Sequence, residues 1–386
     1  MTSIRVERKS LAHANRVIVK VGSGVLVQKT GRPDLNRIDA IIRQLAELHH
    51  SGKDVVLVSS GAIAAGIEAL GLKIRPNNLP ELQMAASIGQ VRLMTEYDKL
   101  FTKEGCKIGQ VLLTHDDLKN RARHLNARNT ILSSLRQRII PIINENDVVS
   151  VDEIKFGDND MLAALVGILI DADILILLST IDGLRNFNES EEGTRVPFLP
   201  AVNHEALSLA VGKGSDFSIG GMASKLQSAQ KAVENGIHVV IADGRQDDII
   251  PDILRGEDLG TLIGDVNGRT KRLLNRRKRW IAFFHKPTGT IFIDGGAEHA
   301  LLQNHVSLLP IGIKKVEGKF TKGAVVNVKT EKGRLIAKGL VDYSNEQLEK
   351  IKGCRTTEIK KILGSKDYDE VIHRENMVIL SSNLEN

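Results

Sequence analysis

The sequence has 386 residues and a net charge of +6, with 42% hydrophobic and 26% charged residues. That length is long for one domain and comfortable for two, and the balance is that of a soluble globular enzyme. Its two cysteines, Cys106 and Cys354, stand far apart without metal-ligand spacing, which excludes a disulfide scaffold or a structural zinc site.

Aromatic residues make up only 3% of the chain, so the core has to be aliphatic, a composition that favours buried parallel strands flanked by helices. The first residues include Arg5, Glu7, Arg8 and Lys9 and lack the apolar core of a signal peptide, so a cytoplasmic location is expected. Residues 16–21, RVIVKV, read as a first buried strand closed by Gly22, Ser23 and Gly24. Lys20 inside that strand has two readings. It is a phosphate-binding lysine beside a turn whose backbone amides approach phosphate oxygens, or a lysine snorkelling from the strand end. The glycines do not have the P-loop spacing. Residues 36–50 have apolar positions at helical spacing, with Asn36 as the expected cap and Gly52 beyond the end.

Residues 54–58 form the next strand and run into Ser60, Gly61 and a helix of small residues, AIAAG. Small residues opening a helix after a strand let a ligand lie close to free backbone amides, and close helix–sheet packing uses them too. A long amphipathic helix is expected over 79–104, a strand over 107–113, and a basic helical segment over 116–138. Then comes an apolar run over 139–143, followed by Asn144, Glu145, Asn146 and Asp147, and by Gly157, Asp158, Asn159 and Asp160 before an apolar helix. Such residues are turn formers and caps. Two clusters of carboxylates and amides around one strand–helix connection instead suit a small charged ligand, because ligands of open α/β sheets sit at such junctions. The stretch 161–179 is the most apolar, but Asp171 and Asp173 interrupt it and it is unsuited to span a bilayer.

The strand expected over 173–179 exits at Ser179 and Thr180, a polar turn suited to a nucleotide. Residues 212–225 are glycine-rich and open a helix, with Gly220 and Gly221 free to fold round phosphates and Lys225 in the first turns. Strands over 238–241 and 261–263 complete an alternation that predicts an α/β fold around a largely parallel sheet. Residues 269–279 hold seven Lys or Arg and no acid, and past Trp280 short alternating runs predict a small β-rich domain of about a hundred residues. The expected organisation is a catalytic domain over 1–264, a basic linker over 265–280 and a second domain over 281–386.

The motifs VIVKVGSGVL, VVLVSSGAIAAG, HLNARNT, PIINENDVV, GDNDMLAAL and GGMASKLQSA occur in the order seen in glutamate 5-kinases, members of the amino acid kinase superfamily. RKRW before TGTIFIDGGA, and SLLPIGIKKVEGKFTKGAVVNV, resemble the pseudouridine synthase and archaeosine transglycosylase (PUA) domain that many of those kinases carry. The resemblance covers nearly the whole chain. It implies a three-layer sandwich with a C-terminal PUA domain, and phosphorylation of the γ-carboxylate of L-glutamate by ATP with Mg2+ on the way to proline. It places Ser60, Gly61, Asn146, Asp147 and Asn159 at the glutamate site. Lys20, Gly22, Ser179, Thr180, Ile219, Gly220, Gly221, Met222, Ala223, Ser224 and Lys225 then serve the nucleotide. Lys20, Lys225 and Asp160 are the catalytic set, with Asp160 organising the two lysines. The chain departs from the family pattern where Ile181, not Asp, follows Thr180, and where Ile219 precedes the glycine pair. The resemblance also implies a homo-oligomer, a tetramer or dimer, and feedback inhibition by proline.

The residues agree with that chemistry on their own terms. A carboxylate acceptor is already ionised near neutral pH, so no general base is needed and catalysis becomes alignment plus charge neutralisation. Asp147 is matched to the substrate ammonium, and Ser60 and Asn159 to carboxylate oxygens. Two rivals stand beside this reading. One is a kinase of the same superfamily acting on aspartate, N-acetylglutamate, carbamate or uridylate. The other is RNA binding through the C-terminal domain, argued from the basic run and from Trp280, Phe283 and Phe284.

Overall fold

A computed structural model describes residues 8–28, 32–149, 159–187, 193–210, 219–264, 281, 287–304 and 306–380. The chain divides into two compact units, residues 1–272 and 273–386. The basic run 265–280, the glycine-rich 212–218, Asp158, Phe283 and Phe284 fall outside the described residues.

The first unit is built on strands β1 (Arg16–Val21), β2 (Asp54–Val58), β3 (Lys107–Leu113), β4 (Ile139–Glu145) and β5 (Ile174–Ser179). A two-stranded hairpin of β6 (Arg185–Asn186) and β7 (Thr194–Arg195) follows, then β8 (Phe198–Leu199), β9 (His238–Asp243) and β10 (Thr261–Ile263). Outside the hairpin the strands form one sheet in the order β3-β4-β2-β1-β5-β9-β10-β8. From β3 to β9 every neighbour is parallel. β10 then turns antiparallel to β9, and β8 lies parallel to β10. Consecutive side chains of β1 and β5 alternate between faces, and Val17, Ile18, Val19 and Leu175 to Leu178 are all fully buried, so both faces are covered. This is the aliphatic parallel core that the composition predicts.

The chain leaves β1 for β2 on one side and later returns to β5 on the other. The strand order therefore reverses between β1 and β5, and the carboxyl ends of β4, β2, β1 and β5 lie side by side. That is the crevice where open α/β sheets bind ligands.

Two local expectations change. The helix Leu35–His50 is capped by Asp34, whose carboxylate accepts from Arg37 N, so Asn36 sits in its first turn instead. The segment 116–138 is two helices, His115–Lys119 and Arg121–Arg136, parted by an extended Asn120. Arg123, Arg136 and Arg138 are exposed. Arg128 is buried and pairs with Asp171, while Arg138 donates to the carbonyls of His49, Gly52 and Lys53. The long helix Leu79–Lys103 matches expectation, capped by Asn78. It crosses the helix Ala62–Ala69 at Gly89 and Gly66, where a Cβ on either glycine would overlap backbone of the other helix. Two bare positions thus let the backbones touch.

The second unit holds β11 (Gly289–Ile293), β12 (Ile313–Gly318), β13 (Val325–Thr330), β14 (Leu335–Leu340) and β15 (Met377–Ile379) in the order β12-β11-β13-β14-β15. Pairing is antiparallel except between β11 and β13. Ile291, Ile293, Val326, Val328 and Ile336 pack with Leu348, Ile351 and Ile359 from two short helices into a separate core. β15 is three residues long, too short for alternation to reveal it.

Candidate active site

Lys20 lies on β1 between Val19 and Val21 and is 1% exposed, so it does not snorkel. Its Nζ stands 2.7 Å from Asp160 Oδ1. Lys225, in the helix Ile219–Val233, places its Nζ 2.9 Å from Asp160 Oδ2. Asp160 begins the helix Asp160–Ile170 and is fully buried. Its charge is favoured there by the helix dipole. One carboxylate gripping two ammoniums leaves a net positive charge on the cluster. Burying charges costs more desolvation than a pair usually returns, so such a cluster is poor fold chemistry and good anion-site chemistry.

The turn after β1 closes on this cluster. A Cβ at Gly22 would lie 3.3 Å from Leu178 O and 3.6 Å from Lys20 Nζ, so the bare turn lets the ammonium sit against it. At Gly24 a Cβ would lie 3.1 Å from Thr180 Cγ2, which brings the turns after β1 and β5 together. Thr180 is exposed and Ser179 half-buried. Arg245 donates to Thr180 O at 2.7 Å while Asp243 holds its guanidinium at 2.9 and 2.7 Å. That clamp from the end of β9 carries no motif in the sequence. Asp182, displaced from the family position by Ile181, is engaged by Arg185 at 3.0 Å. Ile219 and Gly220 open the helix that carries Lys225. Among the described residues nothing lies within 4 Å of a Cβ at Gly221; Met222 is buried, and Ala223 and Ser224 are half-buried.

A second cluster gathers at the ends of β2 and β4. Ser59 N donates to Ile143 O, extending their pairing, and Gly61 then turns the chain at φ 95°, a left-handed conformation suited to glycine. Ser60 is buried, and its Oγ has no hydrogen-bond partner among the described residues. Asn159 donates through Nδ2 to Ser59 O at 2.6 Å and to Asn144 Oδ1 at 2.7 Å. Asn144, itself buried, donates to Gln90 Oε1 at 2.7 Å. Ser59 Oγ and Tyr97 OH lie 2.7 Å apart, and burial pushes the Tyr97 hydroxyl pKa up to about 12. Gln90 and Tyr97 sit on an ordinary amphipathic helix, and no sequence signal singles them out. Asn144 stands out only as one member of the polar cluster.

Asn146 continues β4 by donating its N–H to Leu113 O at 2.9 Å, with its side chain half-buried. Burial raises the Asp147 pKa to about 6, partly offset by the charge of Arg75. Glu145 is buried at the strand end. Asn159 and Asp160 are consecutive, so the polar pocket and the lysine cluster share one helix N-terminus.

The amino acid kinase family model matches residues 15–243, and the PUA domain model matches residues 289–363. A protein named glutamate 5-kinase from Moorella thermoacetica is 44% identical over 97% of this chain and 98% of its own. Another of that name, from Geobacter sp. strain M21, is 45% identical over 97% of this chain and 100% of its own. This chain belongs to the glutamate 5-kinase family. Among solved structures, UMP kinase from Bacillus anthracis is 15% identical, covers 65% of this chain and 96% of its own, and has a TM-score of 0.45.

Membership makes the protein a phosphotransferase, and the residues gathered at these strand ends fit a nucleoside triphosphate. Two ammoniums, a bare turn and a helix N-terminus converge where phosphates need positive charge and free amides. Among the described residues no three His, Cys, Asp or Glu side chains gather to hold a metal ion. No helix among the described residues is long and apolar enough to cross a membrane.

Proposed function

We propose that this kinase transfers the γ-phosphoryl group of ATP to the γ-carboxylate of L-glutamate, giving L-glutamyl 5-phosphate and ADP. One observation carries the reading: Asp160 holds both Lys20 and Lys225 at the same helix start that presents Asn159 to the polar pocket. The acceptor is a carboxylate, so the protein supplies position and charge and removes no proton. Lys20 and Lys225 neutralise the phosphoryl oxygens, Gly22 and the Ser179–Thr180 turn hold the nucleotide, and residues 219–224 carry Lys225 to the phosphates. Ser60 offers to the amino acid a hydroxyl that has no partner among the described residues, with Gly61 and Asn146 lining the pocket and Asp147 facing the ammonium. Mg2+ bound to ATP adds charge neutralisation between the phosphates.

An ADP-release assay tests this with glutamate, aspartate, N-acetylglutamate, carbamate and uridylate as acceptors. Stimulation by glutamate alone is expected, and none by glutamate overturns the reading. The catalytic domain is taken as residues 1–264, with a linker over 265–280 and a PUA domain over 281–386. The kinase is further read as a cytoplasmic homo-oligomer, which light scattering on the full chain tests. Proline, a cyclised analogue of glutamate, is read as competing in the glutamate pocket. Inhibition that persists at saturating glutamate would refute that competition.

A further inference from the structure

The side-chain amides of Asn159, Asn144 and Gln90 form a chain whose polarity the backbone fixes at two points. The Ser59 carbonyl only accepts, so the Asn159 atom 2.6 Å from it is Nδ2. The Glu145 N–H only donates, so the Asn144 atom 2.9 Å from it is Oδ1. Asn159 then gives its second proton to Asn144 Oδ1 at 2.7 Å, and Asn144 gives one to Gln90 Oε1, also at 2.7 Å. Neither asparagine can turn over without setting two donors or two acceptors against each other. Both amide protons of Asn159 are therefore committed to the protein, and only its Oδ1 is left for a ligand.

We propose that Gln90 is a positioning residue: it holds Asn144, whose polarity the Glu145 N–H sets, in place against the Asn159 amide, so that Asn159 Oδ1 accepts a hydrogen bond from the substrate α-ammonium. This deepens, and rests on, the reading of glutamate as substrate. It reverses the expectation that Asn159 donates to a substrate carboxylate, because no amide proton remains for that task. The ammonium then has two acceptors, Asp147 and Asn159, while the Ser60 hydroxyl and backbone amides serve the carboxylates. An ammonium has donors enough for both acceptors, and an acylated nitrogen, uncharged and with a single proton, does not. The pocket thereby selects for a free amino group.

Gln90 contributes only an acceptor, which makes the relay testable by two substitutions in the full-length protein. Gln90→Glu keeps the acceptor, and Gln90→Leu removes it and leaves Asn144 Nδ2 unpaired. ADP release is followed with L-glutamate as substrate and with glutarate, the same dicarboxylate without the ammonium, as competitor. In Gln90→Leu the KM for glutamate rises about tenfold with a smaller change in kcat, the scale of one hydrogen bond to a charged group. The inhibition constant of glutarate stays within about threefold, since glutarate has no ammonium to lose. Gln90→Glu keeps both values near wild type. Equal losses in both variants, or parallel weakening of glutamate and glutarate, overturn the relay alone. A wild-type enzyme that glutamate does not stimulate overturns the substrate reading and the relay with it.

Discussion

Replacing Asp160 by Asn keeps the shape of the side chain and deletes the one negative charge between two buried ammoniums. The wild-type contacts are 2.7 Å to Lys20 and 2.9 Å to Lys225, made to different oxygens of the same carboxylate. The two ammoniums therefore lie within about 7 Å of each other, and at an effective dielectric of about 20 their repulsion is roughly 2 kcal/mol. Breaking a buried pair from one side costs about 3–5 kcal/mol in other proteins, a range that includes such repulsion. For a unit of this size that corresponds to a fall in Tm of roughly 6–15 °C. Turnover falls about a hundredfold or more, because the lysines are no longer aimed at the developing charge. The decisive measurement is a double-mutant cycle by thermal melting. Lys225→Met in the wild type leaves the balanced Lys20–Asp160 pair and costs little stability while abolishing turnover. In the Asp160→Asn background the same change removes a repelling charge and raises the Tm. If Lys225→Met lowers the Tm equally in both backgrounds, the shared-carboxylate account is refuted.

Three further outcomes follow from particular contacts. Burial raises the Asp147 pKa to about 6, so its carboxylate takes up a proton as pH falls through that value and, on the proposed reading, stops pairing with the substrate ammonium. kcat/KM for glutamate should drop below about pH 6 and lose that limb in Asp147→Asn; an identical limb in the variant would assign it to another group. Ser60→Ala removes a buried hydroxyl without a hydrogen-bond partner among the described residues, so unfolding free energy should change by less than about 0.5 kcal/mol while KM for glutamate rises about tenfold. A large stability loss with unchanged KM would make Ser60 a structural residue. Gly89→Ala sets a methyl group into the Ala62 carbonyl oxygen and should cost roughly 3 kcal/mol or more in urea unfolding, because backbone rather than a movable side chain is in the way. An unchanged unfolding midpoint would show that the two helices separate freely.

The elements that carry chemistry are legible in the sequence where local pattern and function coincide. Lys20 follows an apolar run and precedes glycines, Asp160 opens an apolar helix, and Lys225 follows a glycine pair; each position stands out before any fold is known. What the local pattern leaves open is which reading of Lys20 holds. Its burial against a carboxylate 140 residues later excludes snorkelling, and no window of sequence contains both groups. Gln90 and Tyr97 escape for a related reason. Each occupies a helix face that looks like ordinary amphipathic surface or core, and each matters through one long-range hydrogen bond. The same holds for Arg245, whose grip on Thr180 joins the ends of two strands that are neighbours only in space. Caps and breaks fail differently. Asp34 and Asn36 are both good caps by type, and the choice between them depends on which φ/ψ the incoming chain adopts.

The adjacency of Asn159 and Asp160 ties recognition to chemistry more tightly than either cluster does alone. Asn159 is anchored to the ends of β2 and β4, and Asp160 to the lysines of β1 and the Ile219–Val233 helix. The two residues share a single helix N-terminus, so a shift of that helix moves the amino acid pocket and the charge cluster together. Aligning an ionised acceptor with a phosphoryl group is most of what this reaction asks of a protein, and misplacement by about 1 Å can cost about a hundredfold. The glycine crossing of the Ala62–Ala69 and Leu79–Lys103 helices belongs to the same device, because it sets Gln90 one residue beyond Gly89 and within reach of Asn144. Backbone contact at Gly66 and Gly89 is stiffer than contact through side chains. The pocket is thus referenced to the sheet at one end, through Asn159 on the Ser59 carbonyl, and to the glycine-crossed helix pair at the other, through Gln90 on Asn144.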